Sequence, residues 1–339
     1  MRTIANTRQC VAAAALLALA ACTGSSSAPP PTFGTTRPPS GTIVEYPVPT
    51  ANAGPFAIVQ GPDGNMWFTE SNTGTNKVAK ITPAGVVTEF ALSTSNAFPG
   101  NIVSGPDGNL WYVDEANHLG RVTTAGTITL FAAADPAGIA VGSDNNLWVN
   151  EFNGMKVDVY STAGALLHSY ASGTNPANLQ LEQITAGPDG NIWFDTFSGD
   201  NVVKMITGTG ATTAFVYSPA IQNVMRGMAR GPDGNVWAAA SDSNLIARIT
   251  PAGALTTFAI PSANAQPYGI TTGPDGNLYF TEPGVNRTTN KIGRITPAGT
   301  ITEFAIPTAL SGPVFIAAGP DNTIWFTEGF SNKIGELFL

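Results

Sequence analysis

The 339-residue sequence is poor in the residues on which many enzymes and small secreted domains depend. It has two cysteines, Cys10 and Cys22, and two histidines, His118 and His168. Since both cysteines lie near the amino terminus, the rest of the chain has no thiol for a disulfide, a metal site or a nucleophile. It also contains no Gly-x-Ser-x-Gly elbow, no P-loop and no His-Glu-x-x-His motif.

Charged residues are scarce as well, at 11% of the sequence, and acidic residues outnumber basic ones to give a net charge of −8. Removal of residues 1–21 would take away Arg2 and Arg8 and bring the charge to −10. An acidic surface argues against nucleic acid as a partner. After residue 40, no apolar run is long enough to span a bilayer.

One phrase dominates what is present: a Gly-Pro-Asp-Gly-Asn-like turn followed by an aromatic-led strand, seven times, at spacings of 37 to 46 residues. The aromatic residues that lead these strands are Trp67, Trp111, Trp148, Trp193, Trp237, Tyr279 and Trp325. This period, with several short strands per unit, is typical of a β-propeller. We therefore predict an all-β fold, a seven-bladed β-propeller of four-stranded antiparallel blades, in which each recurring aromatic fills the gap between neighbouring blades.

The sequence also predicts how the ring closes. The seventh unit ends at Leu339 with no fourth strand, whereas residues 41–49 match residues 299–307 and precede the first unit. We expect this N-terminal strand to be the outermost strand of the seventh blade, which removes open sheet edges. The propeller domain is predicted to cover residues 41–339.

The amino terminus has the pattern of a targeting segment, with Arg2 and Arg8 before an apolar stretch and small residues before Cys22. Residues 19–22 (Leu-Ala-Ala-Cys) resemble the lipobox of bacterial lipoproteins. The resemblance implies a signal peptide over residues 1–21 and a lipid anchor on Cys22, followed by a Ser/Pro-rich linker within 22–40. The expected location is the cell envelope, on the periplasmic side of the outer membrane in a Gram-negative cell; the alternative is an ordinary signal peptide.

Two positions in each repeat are predicted to face one end of the channel, where loops vary. The first lies five residues before the turn glycine, and its candidates for ligand binding are Glu182, Arg226 and Tyr268. Glu182 and Arg226 belong to adjacent blades and are expected to be able to form an ion pair. A purely structural bridge is the competing interpretation.

The second position lies three residues after each aromatic and carries mostly carboxylates, among them Glu282 and Glu328. Such oxygens are candidate ligands for Mg²⁺ or Ca²⁺. The favoured alternative is that each carboxylate caps loop amides or pairs locally with Lys or Arg. We interpret the turn aspartates as structural, and we place His118 on the variable-loop side of blade 2 and His168 on an outer strand.

Three phrases carry a family resemblance: residues 61–70 (ending Trp-Phe-Thr-Glu), 290–304 (Asn-Lys-Ile-Gly-Arg-Ile-Thr-Pro-Ala-Gly-Thr-Ile-Thr-Glu-Phe) and 324–328. They resemble the streptogramin B lyase (virginiamycin B lyase) family over about residues 41–339. The resemblance implies a seven-bladed propeller. Its characterised members open cyclic depsipeptide antibiotics by Mg²⁺-assisted elimination at an ester.

The same resemblance implies a base histidine at the position of Val314 and a substrate-contacting histidine at that of Tyr268. It implies metal-binding glutamates at Gly312 and Glu328. Three of these four positions differ from the family pattern, so the fold is expected to carry over without the lyase activity.

We therefore expect an envelope-anchored, monomeric propeller that acts as a ligand- or protein-binding module and needs no cofactor. Its partner would be a small molecule or an envelope protein, and it would contact the membrane through the lipid anchor alone. One alternative is a Mg²⁺-dependent carbon–oxygen lyase on streptogramin B-type depsipeptides or a related ester, using Glu328 and a base such as Tyr268. Another is a lactonase-like metal hydrolase, which needs several convergent carboxylates and an Asn near the channel.

Overall fold

The computed structural model describes residues 37–173, 180–196, 201–217 and 225–339. The predicted signal peptide, Cys22 and the linker up to residue 36 lie outside these described residues. Within them, no helix is long and apolar enough to cross a membrane.

The described chain forms seven four-stranded antiparallel sheets, each of which is one blade. Blade 1 contains β2 (Pro55–Gln60), β3 (Met66–Glu70), β4 (Lys77–Ile81) and β5 (Val87–Ala91). Blade 2 contains β6 (Pro99–Ser104), β7 (Leu110–Asp114), β8 (His118–Val122) and β9 (Ile128–Ala132). Blade 3 contains β10 (Pro136–Val141), β11 (Leu147–Glu151), β12 (Lys156–Tyr160) and β13 (Leu166–Ala171). Blade 4 contains β14 (Leu181–Ala186), β15 (Ile192–Thr196), β16 (Asn201–Met205) and β17 (Thr212–Val216).

The remaining three blades complete the ring. Blade 5 contains β18 (Met225–Arg230), β19 (Val236–Ala240), β20 (Leu245–Ile249) and β21 (Leu255–Ala259). Blade 6 contains β22 (Ile270–Thr272), β23 (Leu278–Glu282), β24 (Lys291–Ile295) and β25 (Ile301–Ala305), with a short 3-10 turn at Val285–Arg287. Blade 7 contains β26 (Pro313–Gly319), β27 (Thr323–Glu328), β28 (Lys333–Phe338) and β1 (Ile43–Pro47).

The predicted ring closure is confirmed by the pairing of β1 with β28. The register joins Ile43 to Leu337 and Tyr46 to Ile334 in an antiparallel ladder. The first described strand thus supplies the outer edge of the blade that the last strand would otherwise leave incomplete. In blade 6 the inner strand β22 has three residues, and its pairing with β23 is extended by hydrogen bonds at 3.0 Å from the Tyr268 amide to the Thr281 carbonyl and from the Thr281 amide to the Gly269 carbonyl.

The recurring aromatic residues form the seams between blades, as predicted. Each is fully buried, and each packs onto the second strand of the following blade. Trp325 of blade 7, for example, lies in one apolar cluster with Met66 and Phe68 of β3 in blade 1. Large rings suit this seam because they bury much apolar area in one rigid side chain.

The turn aspartates hold these aromatic residues in place. In blade 1, Asp63 accepts a hydrogen bond from the Trp67 indole at 2.9 Å and from the Asn65 amide of its own turn at 3.3 Å. Blades 2 to 5 repeat the indole contact at 3.0 Å, and in blade 6 the Tyr279 hydroxyl donates to Asp275 at 2.8 Å. Partial burial opposes ionisation of Asp63, but the bonds from Trp67 and Asn65 outweigh it and lower the pKa of that carboxyl group. The structural interpretation of these aspartates is confirmed.

Candidate functional site

The candidate site lies at one end of the channel, where the inner strands of the blades begin. Each inner strand runs from this end toward the Gly-Pro-Asp-Gly turns, so the two faces of the disc are separated by the length of a strand. Glu182 and Arg226 are the second residues of β14 and β18, and Tyr268 lies two residues before β22. We call this end of the channel the mouth.

The structure brings the three predicted ligand-binding candidates together. Arg226 Nη1 lies 3.1 Å from Glu182 Oε1 and 3.3 Å from Oε2, which links blades 4 and 5. On its other side, the Arg226 guanidinium carbon lies 5.6 Å from the centre of the Tyr268 ring. A guanidinium at this distance over an aromatic face makes a favourable cation–π contact.

Two phenylalanines extend this series across blades 7 and 1. Phe315 meets Tyr268 edge to face, with ring centres 5.5 Å apart, and Phe56 in the same manner at 4.9 Å. All three rings are partly exposed. We call the series Glu182, Arg226, Tyr268, Phe315 and Phe56 the mouth row. It is charged at the blade 4 end and aromatic at the blade 1 end.

Phe315 is the member of the mouth row that sequence reasoning missed. Counting back from the turn glycine selects Val314, which is 8% exposed and packs inward. The pairing of β26 with β27 shifts its register between Pro313 and Ile316, so neither Val314 nor Phe315 has a regular partner. At such a bulge, strict alternation no longer determines which side chain faces outward. Phe315 occupies the position that Ala57 holds in blade 1. This unusually large residue was the feature of the sequence that could have indicated a place at the mouth.

A buried acid beneath the charged end was also missed. Asp195, on β15, is 1% exposed; its Oδ1 accepts the Gln183 amide at 2.7 Å, and its Oδ2 has no hydrogen-bond partner among the described residues. Burial, with the negative charge of Glu182, raises the pKa of Asp195 well above its usual value. Burial opposes the charge on Arg226, but Glu182, Tyr268, Asp195 and Asp242 together raise the guanidinium pKa.

Side-chain bulk is unevenly distributed around the mouth. At the position of Glu182 and Arg226, blades 2 and 3 carry Gly100 and Ala137. The large side chains of the mouth row therefore belong to blades 4 to 7 and blade 1. The arrangement suits a ligand that lies to one side of the axis, with a polar end and an apolar end.

The two predicted metal ligands, Glu282 and Glu328, lie in different blades, and each turns toward the outer strand of its own blade. Both side chains are fully buried. Glu282 lies against Glu303 of β25, and Glu328 lies against Glu45 of β1 and accepts a hydrogen bond from Ser331 at 2.7 Å. Within the described residues, no group of three or more His, Cys, Asp or Glu could hold a metal ion.

Glu282 belongs to a cluster that recurs in three consecutive blades. In blade 6, Glu303 accepts the Lys291 ammonium at 2.7 Å and the amide and hydroxyl of Ser262 at 2.9 and 3.0 Å. Ser262 lies in the loop that enters this blade, so the cluster fastens that loop to the outer strand. We call these groups the glutamate-pair clusters. The members in blades 6, 7 and 1 are Glu282–Glu303–Lys291–Ser262, Glu328–Glu45–Lys333–Thr308 and Glu70–Glu89–Lys77–Thr50.

Each cluster holds two carboxyl groups and one ammonium group. Both carboxyl oxygens of Glu282 are buried without a donor among the described side chains. Burial, with the negative charge of Glu303, raises the pKa of Glu282 to about 8, and the pKa of Glu70 is raised to about 8 for the same reasons. A neutral Glu282 would donate its proton to Glu303, which leaves one carboxylate to balance one lysine.

The histidines lie on the third and fourth strands of their blades and not on the inner strands. His118 begins β8, the third strand of blade 2, and its Nδ1 lies 3.1 Å from both carboxyl oxygens of Asp114. His118 occupies the position that Lys77 holds in blade 1. In blade 2 the Asp114–His118 pair therefore stands where blade 1 has a glutamate-pair cluster. His168 is on the outer strand β13, stacked on Tyr170 at 5.5 Å.

Comparison with known proteins identifies the family and supports the fold of this chain. The sequence profile of the Virginiamycin B lyase family matches residues 35–171 and 133–338, and the chain belongs to this family. A virginiamycin B lyase of Nocardia farcinica (strain IFM 10152) is 29% identical over 159 residues, 47% of this chain and 52% of that protein. The chain thus spans about half the length of this curated relative.

Solved structures extend the likeness to nearly the whole propeller. Virginiamycin B lyase from Staphylococcus aureus superposes with a TM-score of 0.79 and 30% identity, covering 88% of this chain and 99% of that one. A catalytically inactive histidine-to-alanine variant of the same enzyme, with quinupristin, gives the same values. The resemblance drawn from the sequence is confirmed at the level of family and fold.

Proposed function

We propose that this chain is an envelope-anchored lipoprotein whose propeller binds an amphipathic ligand at the mouth. The observation that carries the proposal is the mouth row, a continuous set of contacts from Glu182 to Phe56 across five blades. Its aromatic end offers faces and edges for an apolar or aromatic group. Its charged end offers hydrogen-bonding groups that would orient the ligand.

The chemistry of the family's catalytic positions supports binding over elimination. Val314 has no group that could accept a proton, and a side chain at Gly312 would meet the ring of Phe330, with a Cβ placed 2.3 Å from it. Glu328 is buried in a glutamate-pair cluster and turns away from the mouth. A single carboxyl group of this kind does not fit Mg²⁺, which binds through several oxygen ligands.

The competing function is the lyase activity of the family, which membership of this chain in that family favours. Both functions are tested with quinupristin as the probe. Isothermal titration with and without Mg²⁺ reports binding, and mass spectrometry of the recovered compound reports ring opening. We expect quinupristin to bind and to stay intact; a ring-opened product would overturn the binding proposal in favour of the lyase.

Variants locate the binding site. Tyr268→Ala and Phe315→Ala are each expected to weaken binding by about 5- to 10-fold, the loss of one aromatic contact. Leu166→Ala, an exposed position on the outer strand of blade 3, is the matched control and is expected to leave affinity unchanged. Equal affinity in all three variants, or no binding by the wild-type protein, would refute this use of the mouth.

The anchoring half of the proposal is tested separately. Cys22→Ser removes the thiol that would carry lipid, and we expect the protein to move from the membrane fraction to the soluble fraction. Mass spectrometry of the wild-type N-terminal peptide should show acyl chains on Cys22. An unmodified Cys22 would refute the anchor without affecting the mouth.

A further inference from the structure

The described chain begins at the face of the disc opposite the mouth. Arg37 donates from Nη1 to the Leu339 carbonyl at 3.1 Å and from Nη2 to the Asp321 and Asn322 carbonyls at 3.0 and 2.8 Å. Its guanidinium carbon lies 5.7 Å from the centre of the Phe338 ring. Three charge-assisted bonds and a ring contact fix this residue at one point on the disc.

The acceptors of Arg37 show which face this is. Asp321 and Asn322 lie in the turn between β26 and β27, which corresponds to the Gly-Pro-Asp-Gly turns of the other blades, and Leu339 follows β28. β26 begins at Pro313 beside the mouth and reaches that turn seven residues later, at the opposite face. Seven residues of extended strand separate the two faces by about 20 Å.

Residue 41 holds the chain at the same end. The Gly41 amide donates to the Phe338 carbonyl at 2.8 Å, and the Phe338 amide donates to the Thr42 carbonyl at 3.0 Å. From there β1 runs toward the mouth face along the outside of blade 7. The first described residues, 37–42, therefore lie at the turn face.

We infer that the turn face is directed toward the membrane and that the mouth opens away from it, into the aqueous compartment. This inference rests on the proposed lipid anchor at Cys22. A coil of the residues between Cys22 and Arg37 spans on the order of 20 Å, which is similar to the height of the disc. A linker of that length brings the turn face close to the bilayer more readily than it reaches past the rim of blade 7 to the mouth side.

The orientation restricts the partner of the mouth row. A ligand that enters from the aqueous side is a dissolved amphipathic molecule or a soluble protein segment, whereas lipids of the anchoring bilayer would not reach the mouth. The exposed Leu310 and Phe330 beside the mouth would likewise face the aqueous compartment and not acyl chains.

The absence of cysteine from the propeller makes the orientation directly measurable. Ala298 lies in the exposed turn before β25, and Leu310 lies in the loop after it, so the two residues flank one strand at opposite faces. Ala298→Cys and Leu310→Cys are labelled with the same donor fluorophore in the lipidated full chain. The protein is reconstituted in phosphatidylcholine vesicles that contain an acceptor-labelled lipid, and energy transfer is recorded for each variant.

We expect transfer from position 298 to exceed that from position 310 by at least about twofold, given the strand between them. The same two variants combined with Cys22→Ser should not float with vesicles and should show no transfer. Equal transfer from both positions in floating protein, or greater transfer from position 310, overturns the orientation while leaving the anchor in place. Lipidated protein that fails to float overturns the anchoring proposal, and the orientation falls with it.

Discussion

Blades 6, 7 and 1 differ from blades 2 to 5 in how they hold themselves together. The first group has a glutamate-pair cluster in every blade and a threonine bridge at every seam. Thr327, for example, donates from its hydroxyl to the Phe56 carbonyl of the next blade at 2.6 Å. Thr281 and Thr69 do the same toward Val314 and Gly100.

Blades 2 to 5 have other residues in place of the glutamate-pair clusters and the threonine bridges. At the threonine position, blades 3 and 4 carry Asn150 and Asp195, which accept amides of their own inner strands at 2.6 and 2.7 Å. Blade 2 has Asp114 with His118 where a glutamate and a lysine stand in blade 1. The aromatic end of the mouth row belongs to the blades that have the glutamate-pair clusters and threonine bridges. Its charged end belongs to blades 4 and 5, which do not have them. Departure from the repeat therefore coincides with a change in chemistry at the mouth.

The largest expected effect tests what the two regions have in common. Trp325→Ala, at the seam between blades 7 and 1, and Trp193→Ala, at the seam between blades 4 and 5, should each lower the free energy of unfolding by about 3–5 kcal/mol. Both rings are fully buried, so each substitution leaves a cavity. Chemical denaturation measures the loss. A loss of stability in Trp325→Ala but not in Trp193→Ala would show that the seams of the two regions are not equivalent.

The next effect is a pH dependence that comes from the glutamate-pair clusters of blades 6, 7 and 1. The folded pKa of Glu282, about 8, lies above its unfolded value, so its contribution to stability is present in acid and is lost as pH rises toward 8. Glu282→Gln removes this loss because the amide stays neutral and still donates to Glu303. Relative to the wild type, the variant should gain about 3 kcal/mol between pH 5 and pH 8.

The matched control lies in blade 5, where Thr257 holds the position of Glu303. Thr257→Ser should differ from the wild type by an amount that does not change with pH. Thermal and chemical unfolding across this pH range give the comparison. A constant difference for Glu282→Gln as well would mean that the cluster does not hold a proton.

A smaller effect concerns the residue before each third strand. Asn332, at φ 60°, accepts the Ala53 amide at 2.7 Å and donates to the Val48 and Thr50 carbonyls. Asn332→Ala should lower the free energy of unfolding by about 2 kcal/mol. It leaves the Ala53 amide and the two carbonyls without their hydrogen-bond partner, and it places alanine in a left-handed conformation. Blade 3 has Met155 there at φ 55°, and Met155→Asn should stabilise by about 0.5 kcal/mol. Urea unfolding tests both; a stabilising Asn332→Ala would contradict this account.

An effect about half that of Asn332→Ala is expected at the charged end of the mouth row. Because the side chains of Arg226 and Glu182 remain 23% and 18% exposed, solvent screens their attraction. A double-mutant cycle with Glu182→Gln and Arg226→Gln should give a coupling of about 1 kcal/mol in stability. A coupling near that of a buried pair would mean that the ion pair is a structural element of blades 4 and 5.

The sequence predicted the features that depend on period and register. The sevenfold recurrence of the aromatic residues indicated seven blades, and the match between residues 41–49 and 299–307 indicated the closing strand. The contact between Glu182 and Arg226 also followed, because equivalent positions in adjacent blades are neighbours around a ring. These inferences need the order of residues and not the direction of individual side chains.

Direction was harder to predict. Glu282 and Glu328 lie at strand ends near the mouth, but their side chains turn toward the outer strands. There each lies near a second glutamate and a lysine of its own blade. Phe315 reaches the mouth through a bulge that no alternating pattern indicates. Asp195 looks like one more polar residue in a strand until burial and the nearby Glu182 are known. Each depends on neighbours distant in sequence.

Closure by β1 also has a consequence for the order of folding. The chain is synthesised from its amino terminus, so residues 43–47 emerge long before their partners at 333–337. Pairing across such a sequence separation is slow, because the intervening chain must be ordered before the contact is gained. Until residues 333–337 are made, Glu45 has no Lys333 to balance its charge and the ring has two unpaired edges. The pairing of β28 with β1 therefore converts an open stack of blades into a closed disc.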